Sequence, residues 1–426
     1  MRHAILNDRV LVSEVERQSP ELVDRLRRLG AIPAGARTVQ FSGLIQDEFG
    51  NTTVFLPLKA GLNCPEDQRF EKARCLMRVL AKFGSRNERA GTALEIDGSV
   101  SLAHTIMELL KDYKRWGIFR DSVTRNSRNV GKADWKATSN RVAPNFQADG
   151  IPHFDEIRTR LLDTDTENPL SIIHAAVIRE VQKNHIWWIP PSNTVDKSIR
   201  RLDLLGQRKE ALVKRLKSLS KDMFASRDLA LVRLLCAYLT QTGSERDGAL
   251  TIGVRDFHTV WEVMLRETTK GVEQGWNRRL PLPTYIARSG ANVVASGMLP
   301  DIVVRRNSTF VIVDAKYYAA EGAFSVPALG DALKQVCYRM AMSHIVVGSR
   351  VDTCFLFPSA SGTEGRFEYL KFIARETSSE ATDFGEIRCL YVDIDRVMEA
   401  YSSNRKIDPL SKWNSKSEEG GTLILN

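Results

Sequence analysis

The sequence lacks a long hydrophobic run and lacks paired cysteines. No apolar stretch approaches the roughly 18 to 20 residues that span a bilayer, and the first residues contain no signal-peptide core. We therefore expect a cytoplasmic protein with no membrane partner. Its six cysteines are scattered without a C-x-x-C pair, so we expect reduced, buried thiols rather than zinc ligands or disulfides.

The composition is that of a globular protein, with 43% hydrophobic and 27% charged residues. A chain of 426 residues exceeds the size at which one hydrophobic core keeps growing, so two or three domains are expected. Lysine and arginine exceed aspartate and glutamate by 61 to 52, a net charge of +9. This balance favours a polyanionic partner without proving one.

Four segments differ in pattern, and together they predict a mixed α/β or α+β fold. Residues 1–100 predict a small domain of strands and helices, and residues 101–245 a basic, mainly helical middle region. Residues 246–410 alternate helices with β-branched strands, as in a mixed α/β domain, and residues 411–426 form a polar tail.

A basic stretch over residues 114–141 interleaves cations with Trp116, Phe119 and Trp135. Cations neutralise phosphates and flat rings can stack on bases, so this stretch fits a DNA-binding surface. A solvated connector between domains is an equally good interpretation. If DNA binds here, the candidate contacts are Arg120, Arg125, Arg128, Lys132 and Lys136.

Residues 298–316 predict a β-hairpin, because two runs rich in Val and Ile flank Asn307-Ser308. If these two residues form the turn, Arg306 pairs with Thr309. Counting outwards then places Asp301 directly opposite Asp314.

Two carboxylates at opposed positions repel each other unless a cation lies between them. Mg²⁺ prefers oxygen ligands and is commonly held by one or two carboxylates, and Mn²⁺ could replace it. Lys316 lies two residues beyond Asp314, so strand alternation sends it to the same face. The hairpin therefore predicts a metal site built by Asp301 and Asp314, with a lysine beside it.

The order helix, hairpin with carboxylates, helix and strand resembles the PD-(D/E)xK nuclease superfamily. Its signature matches Pro300-Asp301, twelve intervening residues, and Asp314-Ala-Lys316. The resemblance implies a restriction-endonuclease-like core over residues 246–410. It also implies an acidic residue on the preceding helix, for which Glu262 is the candidate metal ligand, and a glutamine on the following helix, Gln335.

A narrower resemblance, to the McrC and LlaJI family of restriction nuclease subunits, covers most of the chain. It is carried by the strand ending at Pro57, by Gly131 to Thr138, by Asp314-Ala-Lys-Tyr-Tyr318 and by Asp331-Ala-Leu-Lys-Gln335. The family implies a McrB-like AAA+ GTPase partner, on which the N-terminal domain would dock, and a role in restriction of phage DNA.

The expected activity is Mg²⁺-dependent hydrolysis of phosphodiester bonds in double-stranded DNA. The expected catalytic residues are Asp301, Asp314, Lys316, Glu262 and Gln335. A dimer or other homo-oligomer would serve cleavage of both strands. Two alternatives stay open: a nuclease acting alone, such as a type II restriction enzyme or a resolvase, and a non-cleaving DNA-binding or GTPase-activating adaptor.

Overall fold

A computed structural model of the chain describes residues 3–47, 51–90, 98–146, 151–165, 167–185, 199–204, 207–243, 250–290, 292–295, 297–322, 325–411 and 413. The expected polar tail lies outside these residues, apart from Ser411 and Trp413. Among the helices within these ranges, none has a stretch that is both long and apolar enough to cross a bilayer.

The described residues form twelve α-helices, numbered here along the chain. They are α1 Val12–Gln18, α2 Pro20–Arg28, α3 Glu66–Ala90, α4 Gly98–Trp116, α5 Trp135–Arg141, α6 Pro169–His185, α7 Lys209–Leu219, α8 Ser226–Gly243, α9 Phe257–Thr268, α10 Trp276–Arg279, α11 Leu329–Ile345 and α12 Ile394–Ser402. Short 3₁₀ turns lie at Ser220–Asp222 and Thr382–Phe384.

The same residues form seventeen strands. They are β1 His3–Asn7, β2 Ser42–Gln46, β3 Thr52–Leu56, β4 Asp121–Arg128, β5 Lys132–Ala133, β6 Asn145–Phe146, β7 Pro152–His153, β8 Arg158–Asp165, β9 Leu250–Val254, β10 Val272–Glu273, β11 Thr284–Ile286, β12 Asn292–Val294, β13 Ile302–Arg306, β14 Thr309–Ala315, β15 Arg350–Ser359, β16 Tyr369–Leu370 and β17 Ile387–Asp393. The mixed α/β class predicted from the sequence is confirmed.

The chain divides into two compact units. One combines residues 1–104 with residues 247–426, and the other contains residues 105–246. The N-terminal segment and the segment predicted to be the nuclease domain therefore belong to the same unit. The assignment of separate functions to the predicted segments stays a prediction.

The N-terminal sheet has the strand order β1-β3-β2-β9, so its last strand comes from the segment after the middle unit. Strand β9 pairs antiparallel with β2, and Gly43 lies opposite Gly253. A Cβ added to Gly43 would lie 2.2 Å from the carbonyl oxygen of Ile252, so only glycine permits this close approach. Helices α1 and α2 cover the sheet with a buried cluster that contains Val15, Leu26 and others.

The second sheet has six strands in the order β10-β13-β14-β15-β17-β16. Its centre is the predicted hairpin: β13 and β14 are antiparallel, with Arg306 paired to Thr309 and Ile302 to Val313. The predicted register is confirmed. Asn307 in the turn has φ 53°, a backbone conformation that Asn tolerates better than most residues. Strands β14, β15 and β17 run parallel to one another.

Helix α11 packs on the sheet through a buried cluster. The cluster contains Phe310 and Ile312 of β14 together with Tyr338 and Met342 of α11. The solvent-facing side of the same helix carries Cys337, which is exposed, and Cys64, Cys236 and Cys389 are partly exposed. The expectation of buried thiols is therefore confirmed only for Cys75 and Cys354. All six cysteines are free, as expected.

The middle unit contains more strand than the sequence predicts. Helices α5 to α8 belong to it, but it also holds a three-stranded sheet in the order β4-β8-β5. Strand β4 pairs with β8 over eight residues, Asp121 to Arg128. Charged and polar residues dominate both strands, so the hydrophobic alternation that identifies a half-buried strand is weak there.

A buried hydrogen-bond network joins the N-terminal sheet to the end of the hairpin. The Tyr317 hydroxyl donates to the Asp8 carboxylate at 3.0 Å and accepts from the Leu58 N–H at 2.7 Å. The other Asp8 oxygen accepts from the Phe41 N–H at 3.2 Å. Burial is the main cause that raises the pKa of Asp8 to about 6. This network fixes Tyr317, the neighbour of Lys316, against residues more than 250 positions away.

We expect Asp8→Asn to remove a pH dependence of stability. Because the folded-state pKa of Asp8 lies above its ordinary value, its contribution to stability is present at low pH and is lost as the pH rises through about 6. The loss is about 3 kcal/mol, and the asparagine keeps an acceptor for Phe41. The measurement is the urea midpoint of unfolding between about pH 4 and pH 7.

The control is Asp24→Asn, which changes an exposed carboxylate on α2. Its urea midpoint should follow the wild-type pH curve, whereas that of Asp8→Asn should decline less. If the urea midpoint of Asp8→Asn declined with pH as steeply as that of the wild type, Asp8 would not be the source of the pH dependence.

Candidate active site

The hairpin brings the two predicted carboxylates to the same edge of the sheet. Asp301 directly precedes β13 and Asp314 is the next-to-last residue of β14, so they are the next positions outward from the last pair of the register, Ile302 and Val313. Their carboxyl groups lie within hydrogen-bond distance of each other. An oxygen of Asp301 accepts the Ala315 N–H at 3.0 Å, and the Asp301 carbonyl accepts from Arg266 of α9 at 3.1 Å. This is the edge at which the parallel strands β14 and β15 end, the usual place for ligands in α/β sheets.

Asp314 is 4% exposed, and its environment opposes ionisation. Burial, followed by the negative charge of Asp301, raises the pKa of Asp314 to about 6 against the opposing charge of Lys316. Ionisation of both of two adjacent carboxyl groups costs free energy when they are shielded from water, because the two negative charges repel each other. The site therefore favours a bound cation or a bound proton.

Lys316 bridges two carboxylates. Its Nζ lies 3.1 Å from Asp314 Oδ2 and 2.8 Å from Asp331 Oδ1 of helix α11. Burial acts to lower the pKa of Lys316, but Asp331 and Asp314 outweigh it and raise the pKa above its ordinary value. The side chain is consequently held as an ammonium with a fixed position.

Gln335 lies on the same face of α11 as Asp331, one helical turn further on. The residue is 1% exposed, and its Oε1 accepts no hydrogen bond from any residue that the structure describes. Tyr338 has a different role, because its hydroxyl accepts the Leu299 N–H at 3.2 Å just before the hairpin. The glutamine thus offers a free polar atom, and the tyrosine holds the chain that leads to Asp301.

Glu262 lies half-buried on α9. Burial raises its pKa, and the negative charge of Asp314 acts in the same direction against Arg266. Within the described ranges, however, no three His, Cys, Asp or Glu side chains lie close enough together to hold a metal ion. The structure therefore places Glu262 near the carboxylate pair without bringing it into a ligand set.

The donor chemistry of the pair suits a hard divalent cation. Asp301 and Asp314 supply anionic oxygens, and a cation would relieve the repulsion that raises the pKa of Asp314. Gln335 Oε1 is a further buried oxygen without a partner among the described residues. These residues fit Mg²⁺ or Mn²⁺.

The basic residues predicted to bind DNA lie in the other compact unit. Arg120, Arg128, Lys132 and Lys136 are exposed, whereas the side chain of Arg125 lies outside the described parts. Trp116 and Trp135 are 56% and 60% exposed. Phe119 is instead buried, and its N–H donates to His174 Nδ1 at 3.1 Å, so this ring belongs to the core.

Asp331 is the residue of this site that the sequence-based list of catalytic residues omits. Its position four residues before Gln335, in the motif from Asp331 to Gln335, is a local signal that both side chains share a helix face. Its ion pair with Lys316 spans fifteen positions and becomes visible only when α11 packs on β14.

Structure comparison matches this chain to two Thermococcus gammatolerans assemblies. One is a half-complex from a tetradecameric assembly of McrB AAA+ hexamers with bound McrC, matched at 12% identity and a TM-score of 0.44 over 94% of this chain and 98% of that chain. Another is a McrBC complex from the same organism, matched at 12% identity and a TM-score of 0.30 over 62% of this chain and 85% of that chain.

Sequence comparison gives a more specific result. A component of the type II restriction enzyme BsuMI from Bacillus subtilis (strain 168), YdjA, is 22% identical over 318 residues. That match covers 70% of this chain and 66% of the relative, just under two thirds of its length. The family model of the LlaJI restriction endonucleases matches residues 41–395, which include the whole candidate site. The chain belongs to the LlaJI restriction endonuclease family.

Proposed function

We propose that this chain is the DNA-cleaving subunit of a restriction system and hydrolyses phosphodiester bonds in double-stranded DNA. One observation carries the proposal: Asp301 and Asp314 oppose each other beside Lys316 in a member of a restriction endonuclease family. A cytoplasmic location goes with a DNA substrate of this kind.

The carboxylates of Asp301 and Asp314 would hold Mg²⁺, with Mn²⁺ as a substitute. The ion, when bound, polarises a phosphate oxygen and lowers the pKa of water. Glu262 lies close enough to Asp314 to be affected by its charge, and we propose that Glu262 and Gln335 orient water or the phosphate. Metal occupancy would keep Asp314 ionised near neutral pH, where burial alone opposes ionisation.

Lys316 would act as a fixed positive charge. Because Asp331 and Asp314 raise its pKa, it remains protonated and is unsuited to accept a proton from water. Its ammonium can offset the negative charge that develops on the phosphate during hydrolysis, and its position needs no rearrangement at that moment. Asp331 would position Lys316 without contacting the substrate.

We also propose that a McrB-like AAA+ GTPase works with this chain, as the resemblance of its motifs to McrC and LlaJI subunits implies. The N-terminal sheet would provide the docking surface. Cleavage of plasmid DNA with Mg²⁺, measured with and without GTP and a McrB-like AAA+ GTPase, separates this arrangement from a nuclease acting alone and from a non-cleaving adaptor.

We expect Asp314→Asn to reduce Mg²⁺-dependent cleavage by at least about 100-fold, because the amide cannot replace an anionic metal ligand. DNA affinity should stay within about 2-fold, since the substitution removes no positive charge. Thermal stability should be equal or higher, because the repulsion from Asp301 disappears. The measurements are plasmid cleavage, DNA binding in EDTA and thermal unfolding.

The matched control is Asp383→Asn, which neutralises an exposed carboxylate in the 3₁₀ turn. Its cleavage rate should equal that of the wild type. Cleavage by Asp314→Asn at the wild-type rate would contradict the proposed site.

A double-mutant cycle tests the role of Asp331. Lys316→Met should lower the cleavage rate by at least about 100-fold, because it removes the positive charge. Asp331→Asn should lower the rate by about 10-fold, because Lys316 remains but loses the ion pair that fixes its position. Adding Asp331→Asn to Lys316→Met should cause no further loss. Equal effects of Asp331→Asn in both backgrounds would show that Asp331 acts independently of Lys316.

The exposed cations of the middle unit are proposed to contact the DNA backbone. Lys132→Gln with Lys136→Gln removes two of them, so we expect the slope of log affinity against log salt to fall by roughly 1.8. The measurement is fluorescence anisotropy of a labelled duplex in EDTA over a salt series. An unchanged slope would assign this stretch to a solvated connector.

A further inference from the structure

A basic cavity lies at the end of the hairpin that is remote from the candidate active site. It encloses about 520 Å³ around the β13–β14 turn. Two carboxylates, Asp352 and Asp408, line it. Five basic side chains also line it: Lys270, Arg305, Arg306, Arg350 and Arg388. The lining groups therefore carry three more positive than negative charges.

Three of the arginines are held in place by partners in the wall. Arg306 Nη1 contacts Asp408 Oδ1 at 2.8 Å and the Leu410 carbonyl at 2.8 Å. The Arg350 Nε donates to Asp352 at 2.9 Å. Arg388 donates to the Trp413 carbonyl at 2.9 Å, and its guanidinium lies 4.2 Å from the centre of the Trp413 ring. Fixed guanidinium groups lose little conformational entropy when they bind an anion.

The remaining two cations, Lys270 and Arg305, supply the excess charge together with Arg388, because none of the three pairs with a carboxylate of the cavity wall. Arg305 is 61% exposed, and its nearest carboxylate, Glu273, approaches from outside the cavity at 3.6 Å. Lys270 is exposed and makes no ion pair with the residues that the structure describes. Glu386 also lies outside the cavity wall, 3.9 Å from Arg388. Lys270 is thus available to an incoming ligand, and Arg305 is held by its ion pair with Glu273.

This charge cluster is separate from the carboxylate pair. Thr309 at the turn and Asp314 at the other end of β14 are five residues apart, which corresponds to about 17 Å along a strand. One edge of the sheet therefore collects anionic groups and the other collects cationic groups. The ligands of the two edges must differ in charge.

We propose that this cavity is a phosphate-binding site. Guanidinium groups match the geometry of phosphate oxygens, and Lys270 and Arg305 would neutralise the charge of the phosphate. The phosphate can come from the backbone of DNA or from a free nucleotide, and the two sources share this chemistry. The proposal does not depend on cleavage by Asp301 and Asp314.

The test uses two double variants. The cavity variant combines Lys270→Gln with Arg305→Gln, and the control variant combines Arg28→Gln with Arg375→Gln, which removes two exposed cations outside the cavity. The full chain is used in EDTA, so that no cleavage occurs. The probes are pyrophosphate and GTP, measured by calorimetry, and a labelled DNA duplex, measured by anisotropy. Thermal unfolding checks the fold, and Arg305→Gln alone replaces the double variant if that variant unfolds.

We expect the cavity variant to bind at least one probe about 5-fold more weakly, and the control to stay within about 2-fold. Weaker binding of pyrophosphate or GTP alone identifies a free nucleotide as the source. Weaker binding of the duplex alone identifies the DNA backbone. Equal losses in both variants, or no binding of any probe by the wild type, would overturn the proposal.

Discussion

The repulsion between two carboxylates in a desolvated place is the constraint on which the candidate site depends. The antiparallel pairing of β13 with β14 forces Asp301 and Asp314 together, and burial raises the pKa of Asp314. Lys316 compensates part of the negative charge, and Asp331 holds Lys316 in turn. The remaining negative charge is what a divalent cation would neutralise. The pairing of β13 with β14 creates this repulsion, and the ion pairs of Lys316 and the proposed metal binding both reduce it.

The N-terminal segment is physically part of the unit that contains this site. Strand β9 completes the N-terminal sheet, and the Tyr317 hydroxyl connects Asp8 and Leu58 to the residue after Lys316. Nearby, Lys59 forms an ion pair with Glu321. A partner that docks on the N-terminal sheet, as we propose, would therefore contact a segment that shares buried hydrogen bonds with Tyr317, two residues after the end of β14.

The central strand β14 separates two electrostatic environments. Its carboxyl end carries the opposed carboxylates, and its amino end begins at a turn surrounded by fixed arginines. Parallel strands with helices on a sheet commonly place ligand sites at the carboxyl ends, as the candidate site does. The basic cavity at the opposite end has no counterpart in that rule, and its cations led us to propose a phosphate ligand there.

The sequence by itself determined the hairpin, its register and the facing of Asp301 and Asp314, because a two-residue turn and a period of two fix all three locally. The resemblance of the motifs to the PD-(D/E)xK superfamily added Gln335 as a candidate. Tertiary structure alone decided the ion pair of Lys316 with Asp331, the partners of Tyr317, the joining of β9 to the N-terminal sheet, and the basic cavity. These features bring together residues fifteen to more than three hundred positions apart, and no local periodicity encodes such distances. The exposure of single side chains was also decided by the tertiary structure, because it depends on which faces of helices and sheets pack together. Phe119 is therefore buried in the core, and Cys337 is exposed.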